Sequence, residues 1–222
     1  MPNQRCTGIV PRAMFEQFVK FFVVFFVVVE PVALAPMFAS LTEGAAEAWK
    51  RRMALKAVIV AAIILVVFAI SGATFLSLMG ISIEAFRIFG GLLLFLMSLE
   101  MVFARESGTR TSPDEKVESR KRADISVFPL AFPLLAGPGA LTTILLWFGP
   151  HPVTREPVLF GGLLLAAFLV LAVSLLTMRL SGNIAKVLGV TGANVANRLL
   201  GVVLGALSVQ FIIDGIRGAF DF

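Results

Sequence analysis

The chain has 222 residues, 58% of them hydrophobic and only 15% charged, with a mean hydropathy of +0.94. Soluble domains use about 45–50% apolar residues, so a water-soluble fold of this length is excluded, because it could not hide that much apolar surface. The net charge of +5 does not imply a nucleic-acid partner, because the cations gather at the ends of apolar runs and in one polar stretch.

A helix needs about 20 apolar residues to cross the hydrocarbon core. Six stretches qualify, at about 18–36, 53–75, 85–103, 126–148, 158–178 and 199–216. Barrel strands would show short alternating segments instead. The expected fold class is therefore an all-α integral membrane protein with six transmembrane helices, forming a single membrane domain over 1–222.

The first span begins like a signal peptide, with Arg5, Arg12 and Lys20 ahead of an apolar run. No small-residue cleavage site follows, and Pro31 and Pro36 come instead, so it reads as a retained helix. Proline removes a donor and clashes with the preceding turn, so this pair should break the helix. Glu30, beside Pro31, is costly at that depth unless it is paired, protonated or facing a polar cavity. One reading is a kink with a neutral, hydrogen-bonded Glu. The preferred reading is a site that handles substrate or ion, formed by Glu30, Pro31 and Pro36.

Gly90-Gly91 in the third span are small positions suited to close helix packing. A polar stretch of mixed charge follows at 105–125, with Ser107, Gly108, Ser112 and Pro113. It reads as a flexible cytoplasmic linker between two halves of three spans each, 15–104 and 126–220.

The fourth span carries Pro129, Pro133, Gly137, Pro138 and Gly139 in its middle. Gly137-Pro138-Gly139 looks like a break followed by a fresh helix start, with Pro138 in its first turn. Such a start presents free N–H groups and a positive dipole end, which suits a carboxylate. Thr142 and Thr143 can add hydroxyls. The competing reading is a proline-kinked packing helix.

In the last span, Gly201 and Gly205 have the spacing of a close-packing motif. Gln210 is deep enough to hydrogen-bond between helices. Cys6 and His151 are the only residues of their types, so an internal disulfide, a cysteine metal cluster and a nucleophile–His–acid set are all excluded. His151, between two prolines, reads as a solvated loop residue.

Two weak similarities link the halves. Glu30-Pro31-Val32-Ala33-Leu34-Ala35-Pro36 resembles 137–143 at an offset of 107 (138 − 31), and Phe86-Arg87-Ile88-Phe89-Gly90 resembles 197–201 at an offset of 111 (198 − 87). Three spans is an odd number, so a second copy must enter from the opposite side, giving a 3+3 inverted repeat with helices one and four broken. Lys50, Arg51, Arg52, the 105–122 cations, Arg179 and Lys186 fall on one side. Arg5, Arg12, Lys20, Arg155 and Arg217 fall on the other. This bias places the odd-numbered loops in the cytoplasm and both termini outside.

The run from Pro129 to Thr143 resembles the signature of the MarC family of bacterial inner-membrane proteins, which includes SnatA-type small neutral amino acid transporters. The 80–91 and 197–215 stretches are similar to that family's third and sixth spans, and the likeness covers nearly all of 15–218. The resemblance implies six helices, a distant kinship with the LysE exporter superfamily, and transport of small neutral amino acids. It also shows a departure. The family's first span usually has Gly and Asn where this chain has Ala33 and Leu34, which removes a polar contact and puts glycine or alanine as substrate in doubt.

The expected function is an inner-membrane secondary transporter of small neutral amino acids or similar solutes, coupled to a proton or sodium gradient. Substrate would be held at Glu30, Pro31, Pro36, Gly137, Pro138, Gly139, Thr142 and Thr143. Its partners are the solute, the coupling ion and the lipid bilayer, with no cofactor, metal or nucleic acid, and a homo-oligomer is compatible with this. The alternatives are a membrane structural or assembly protein with no translocation activity, recognisable by a fourth-span break filled with side chains, and a membrane-embedded enzyme. No phosphate-binding loop is present, and no catalytic set supports the enzyme.

Overall fold

The computed structural model describes residues 9–103 and 124–220. Apart from Asp124 and Ile125 the expected linker lies outside the described residues, as does Cys6. The chain runs α1 (Ile9–Val29), α2 (Pro31–Leu41), α3 (Glu47–Leu78), α4 (Ile83–Phe103), α5 (Ser126–Leu135), α6 (Pro138–Phe148), α7 (Pro157–Arg179) and α8 (Ser181–Phe220). Among the described residues there is no strand.

Five helical stretches are long and apolar enough to cross a membrane, the first being Met14–Leu41, which joins α1 and α2. The α5–α6 pair makes a sixth when its 54° bend is counted within one broken span. The protein is thus an all-helical, multi-pass membrane protein, and the span boundaries expected from hydropathy are close to those observed.

The exposed and buried faces follow from helical periodicity. Along α3, the buried positions are Ala54, Ala57, Ala61, Leu65, Ala69 and Gly72, while Leu55, Ile59, Ile63, Val67 and Ile70 are exposed. Small residues inward and large aliphatics outward is the arrangement of a helix that packs closely on one face and meets lipid on the other. Of the five stretches that span without the α5–α6 pair, the first is the most enclosed, with 56% of its most apolar window buried against 22% for α4 and for the Arg198–Phe220 part of α8. An aromatic group holds it there. Phe21 packs edge-on against Trp147 and Phe148 of α6 at 5.6 and 5.7 Å, and Phe148 in turn meets Phe160 of α7 at 4.9 Å.

Helices α4 and α8 pack along an antiparallel seam of glycines. A Cβ on Gly91 would lie 2.7 Å from Ile212, one on Gly201 2.8 Å from Met101, and one on Gly215 2.7 Å from Ile88. The glycines expected to serve packing do so. Elsewhere, α3 packs on α5 and α7 on α1; α3 on α6 and α7 on α2; α4 on α6 and α8 on α2.

Three local expectations change. The first span breaks at Glu30, but the helix then continues through Pro36, which lies inside α2. The connection after α7, counted in the sequence as a loop, is helical from Ser181 onward and continuous with the last span. Gln210 donates to Asp214 Oδ1 at 2.8 Å on the same exposed helix face, so it does not bridge helices.

One ion pair ties the start of the second half to the first. Lys56 of α3 bonds to Asp124, which also accepts from the Ser126 N–H at 2.9 Å and from its hydroxyl at 2.5 Å. The Lys56 ammonium and then the Ser126 donors hold the Asp124 carboxyl well below the usual carboxylate range. A depressed folded-state value stabilises the fold above the unfolded value of about 3.9, and that contribution fades as pH falls below it. The pair is half exposed, so Asp124→Asn should cost under about 1 kcal/mol at neutral pH. In thermal melts the gap between parent and variant should narrow as the buffer is taken below about pH 4.

Candidate functional site

The site is built on two interruptions. In the first, Pro31 has no N–H to give to the carbonyl of Val27, so α1 cannot continue regularly. Glu30 turns into the left-handed region, with φ 51° and ψ 59°, and α2 starts at once with Pro31 in its first turn. The Glu30 N–H donates to Phe26 O at 3.0 Å, and its carbonyl accepts from Leu34 N–H at 3.2 Å, so the backbone stays bonded on both sides of the turn. Glu30 is the one non-glycine residue with positive φ among the described residues. That conformation costs an L-residue about 1–2 kcal/mol. Glu30 is also only 5% exposed, between the buried Val27–Val29 and Ala33–Ala35.

In the second interruption, Pro129 and Pro133 remove two donors from α5. Its chain opens into a wide, irregular helix with extended backbone at Phe128 and Phe132. Leu130 and Ala136 donate five residues back, to Ile125 O and Ala131 O. At Gly137 the backbone approaches the Pro133 carbonyl so closely that a Cβ would lie 2.1 Å from its oxygen, so only glycine fits. Pro138 then opens α6, and the Leu141 N–H bonds to Gly137 O at 3.0 Å.

The two interruptions approach each other. The Cβ position of Gly139 is 3.1 Å from Val28 Cγ1, two residues before Glu30, and 2.5 Å from Met97 Sδ of α4. With Phe21 against Trp147 and Phe148, this makes α1 and α6 antiparallel neighbours. Both helices that follow a break are 11 residues long, and both carry proline in the first turn.

The expected site residues divide. Glu30 and Pro31 are buried at the first break, and Gly137 and Gly139 at the second. Thr142 and Thr143 are buried on α6, where the Thr143 hydroxyl donates to Gly139 O at 2.9 Å. A Cβ on Gly90 of α4 would lie 2.3 Å from the Thr142 methyl, so that methyl occupies the space the glycine leaves. Pro36 and Pro138 are exposed. Because Met97 and Val28 fill the space over Gly139, a larger side chain there would test packing rather than ligand contact.

Met97, which α4 brings against the second break, was not singled out in the sequence, and Gly90 was expected only as a packing position, the role it has against Thr142. Nor were Gln17 and Trp147 singled out, whose Oε1 and Nε1 are buried without a hydrogen-bond partner among the described residues. For Trp147 the available signal was an indole N–H inside an apolar run; Gln17, between Glu16 and Lys20, gave none. His151, in the loop after α6, pairs with Glu156 Oε2 through Nδ1 at 2.8 Å.

A family model described as MarC family integral membrane protein matches residues 15–220. The chain is 37% identical to the UPF0056 membrane protein YhcE of Escherichia coli (strain K12), over 93% of this chain and 94% of that one. It is 34% identical to YvbG of Bacillus subtilis (strain 168), over 93% and 97%. It is 36% identical to a UPF0056 membrane protein of Aquifex aeolicus (strain VF5), over 90% and 92%. No solved structure matches.

Proposed function

The chain belongs to the MarC family of integral membrane proteins, and from that premise we propose that it is a secondary transporter of small neutral amino acids or similar solutes. One observation carries the reading. A buried Glu30 sits in a strained left-handed turn two residues after Val28, which packs against Gly139 in the first turn of α6, and both breaks lie inside apolar spans, where irregular backbone is tolerated only against protein or a polar cavity. The first turn of α6 offers N–H groups to an anionic group. Glu30 offers a partner for an ammonium, or a carrier for a coupling proton. A zwitterion needs both, the apolar surroundings favour an uncharged side chain, and the close packing of Val28 and Met97 over Gly139 favours a small one.

The architecture proposed with this function is a 3+3 inverted repeat. Exchanging the halves swaps α1 with α5, α2 with α6, α3 with α7 and α4 with α8. The packing pairs α3–α5 and α7–α1, α3–α6 and α7–α2, and α4–α6 and α8–α2 are each exchanged by that swap, while α3–α7 and α4–α8 map onto themselves. An antiparallel α4–α8 seam is what a two-fold axis in the membrane plane requires. Location in the inner membrane with both termini outside belongs to the same proposal. A C-terminal alkaline phosphatase fusion is expected to be active and a green fluorescent fusion dark, and the opposite pair of results would reverse the orientation.

The second reading, a membrane assembly protein with no translocation, draws on the close packing of Met97 and Val28 over Gly139. Proteoliposomes loaded with the purified protein separate the two. Uptake or efflux of a labelled amino acid panel under imposed proton or sodium gradients is expected. Absence of flux for the whole panel under both gradients would favour the second reading.

A further inference from the structure

Away from the two breaks, a cavity of about 300 Å³ opens where α2, the start of α3, the end of α7 and the start of α8 meet. Its charged walls are Lys50, Arg51 and Arg179, against the single carboxylate of Glu47. Glu47 is occupied by Lys50, at 2.8 Å. Neither Arg51 nor Arg179 has an ion-pair partner among the described residues. These cations come from segments far apart in the chain, and the fold gathers them around one volume with room for roughly ten waters. Ser181 and Gly182, in the first turn of α8, also line it, where backbone N–H groups have no carbonyl of their own helix to meet. The floor is apolar: Phe38 and Met178 are 2% and 1% exposed, and Leu180 at the rim is 43% exposed.

We propose that this cavity binds a phosphate group at the membrane interface, either the headgroup of an anionic phospholipid or a free phosphate. Two guanidinium forks and a helix start suit the oxygens of a phosphate, which accept several hydrogen bonds at once. The apolar floor and the exposed Leu180 suit the glycerol and first methylenes of a lipid. The net excess of two positive charges, three cations over one carboxylate, attracts an anion to this partly enclosed space, although Arg51 and Arg179 are themselves exposed. Basic pockets between membrane helices take lipid headgroups by this chemistry. The site does not depend on Glu30 or on transport.

The test uses the full chain in neutral detergent, titrated separately with short-chain phosphatidylglycerol, phosphatidylcholine of the same chain length, and inorganic phosphate. Bound adducts are read by native mass spectrometry and stability by melting temperature. Phosphatidylglycerol should bind more tightly than phosphatidylcholine and raise the melting temperature. Arg51→Gln combined with Arg179→Gln should weaken that binding about ten-fold or more. Arg155→Gln combined with Arg217→Gln, which removes the same charge elsewhere, should leave it unchanged. Glu47→Gln should tighten it, an effect of opposite sign that cannot come from misfolding. Inorganic phosphate that binds alone and displaces the lipid would identify the soluble anion as the ligand, and a lipid that it cannot displace would identify the headgroup. The proposal is overturned if phosphatidylglycerol and phosphatidylcholine bind alike and inorganic phosphate does not bind. It is equally overturned if the two double variants behave alike.

Discussion

Glu30→Gln should abolish gradient-coupled uptake while leaving expression and folding intact. Glutamine keeps the length and shape of the side chain and removes the charge. A buried bond to a charged group contributes about 1.5–3 kcal/mol, so its loss should weaken solute binding roughly ten- to hundred-fold. If Glu30 also carries the coupling proton, glutamine stops coupling altogether, and residual flux should no longer respond to the gradient. A second substitution separates strain from chemistry. Glu30→Gly removes the carboxylate but adopts φ 51° without the steric penalty an L-residue incurs there. The relief is offset by the extra freedom of glycine in the unfolded chain, so stability should stay within about 1 kcal/mol of the parent. Transport should still be lost. Flux and binding in proteoliposomes, with melting curves for each variant, check both. If the two variants transport like the parent, the carboxylate has no part in transport and the turn at Glu30 is only a bend.

Gly91→Leu is expected to be among the most damaging substitutions for stability. The first added carbon would already meet Ile212 Cγ1 at 2.7 Å and the Ser208 carbonyl at 2.9 Å. The second contact is with backbone, so no rotamer change relieves it and α8 must move away from α4. Overpacking of this kind costs about 1–3 kcal/mol, and more where helices separate. Membrane helices gain no hydrophobic association from lipid, so close van der Waals approach is most of what holds the seam. Gly161→Leu and Gly162→Leu are the controls, because a Cβ at either position of α7 meets nothing within 4 Å. Melting temperature and monodispersity in detergent should fall sharply for Gly91→Leu and hardly change for the controls. Equal effects at all three positions would show that the seam is not held by close approach.

Much of the fold was legible in the sequence because membrane physics is strict. A span needs about 20 apolar residues, and lipid offers the backbone no partner. Spans and loops therefore appear as blocks of composition, and the observed helices coincide with the expected ones at α3, α4 and α7. The break before α6 was equally legible. Gly137-Pro138 combines a residue that tolerates close backbone approach with one that lacks a donor, and both properties act within a single turn of chain.

The tertiary structure decided what the local chain leaves open. Pro31 and Pro36 remove the same donor, yet only the first interrupts the helix; the second is carried through α2, which is held by buried Leu34, Ala35 and Phe38. The polar 181–197 stretch reads as a loop by hydropathy, although its backbone bonds are satisfied as helix. Neither the partner of each glycine nor the meeting of Val28 with Gly139 could be read from spacing, because both depend on which helices lie side by side. The same holds for the cations. Lys50, Arg51 and Arg179 were legible as one side of the membrane, since orientation depends only on where charge falls along the chain. Their convergence on one cavity required the packing of four helices, because contact between distant segments is a property of the fold and not of any local run of residues.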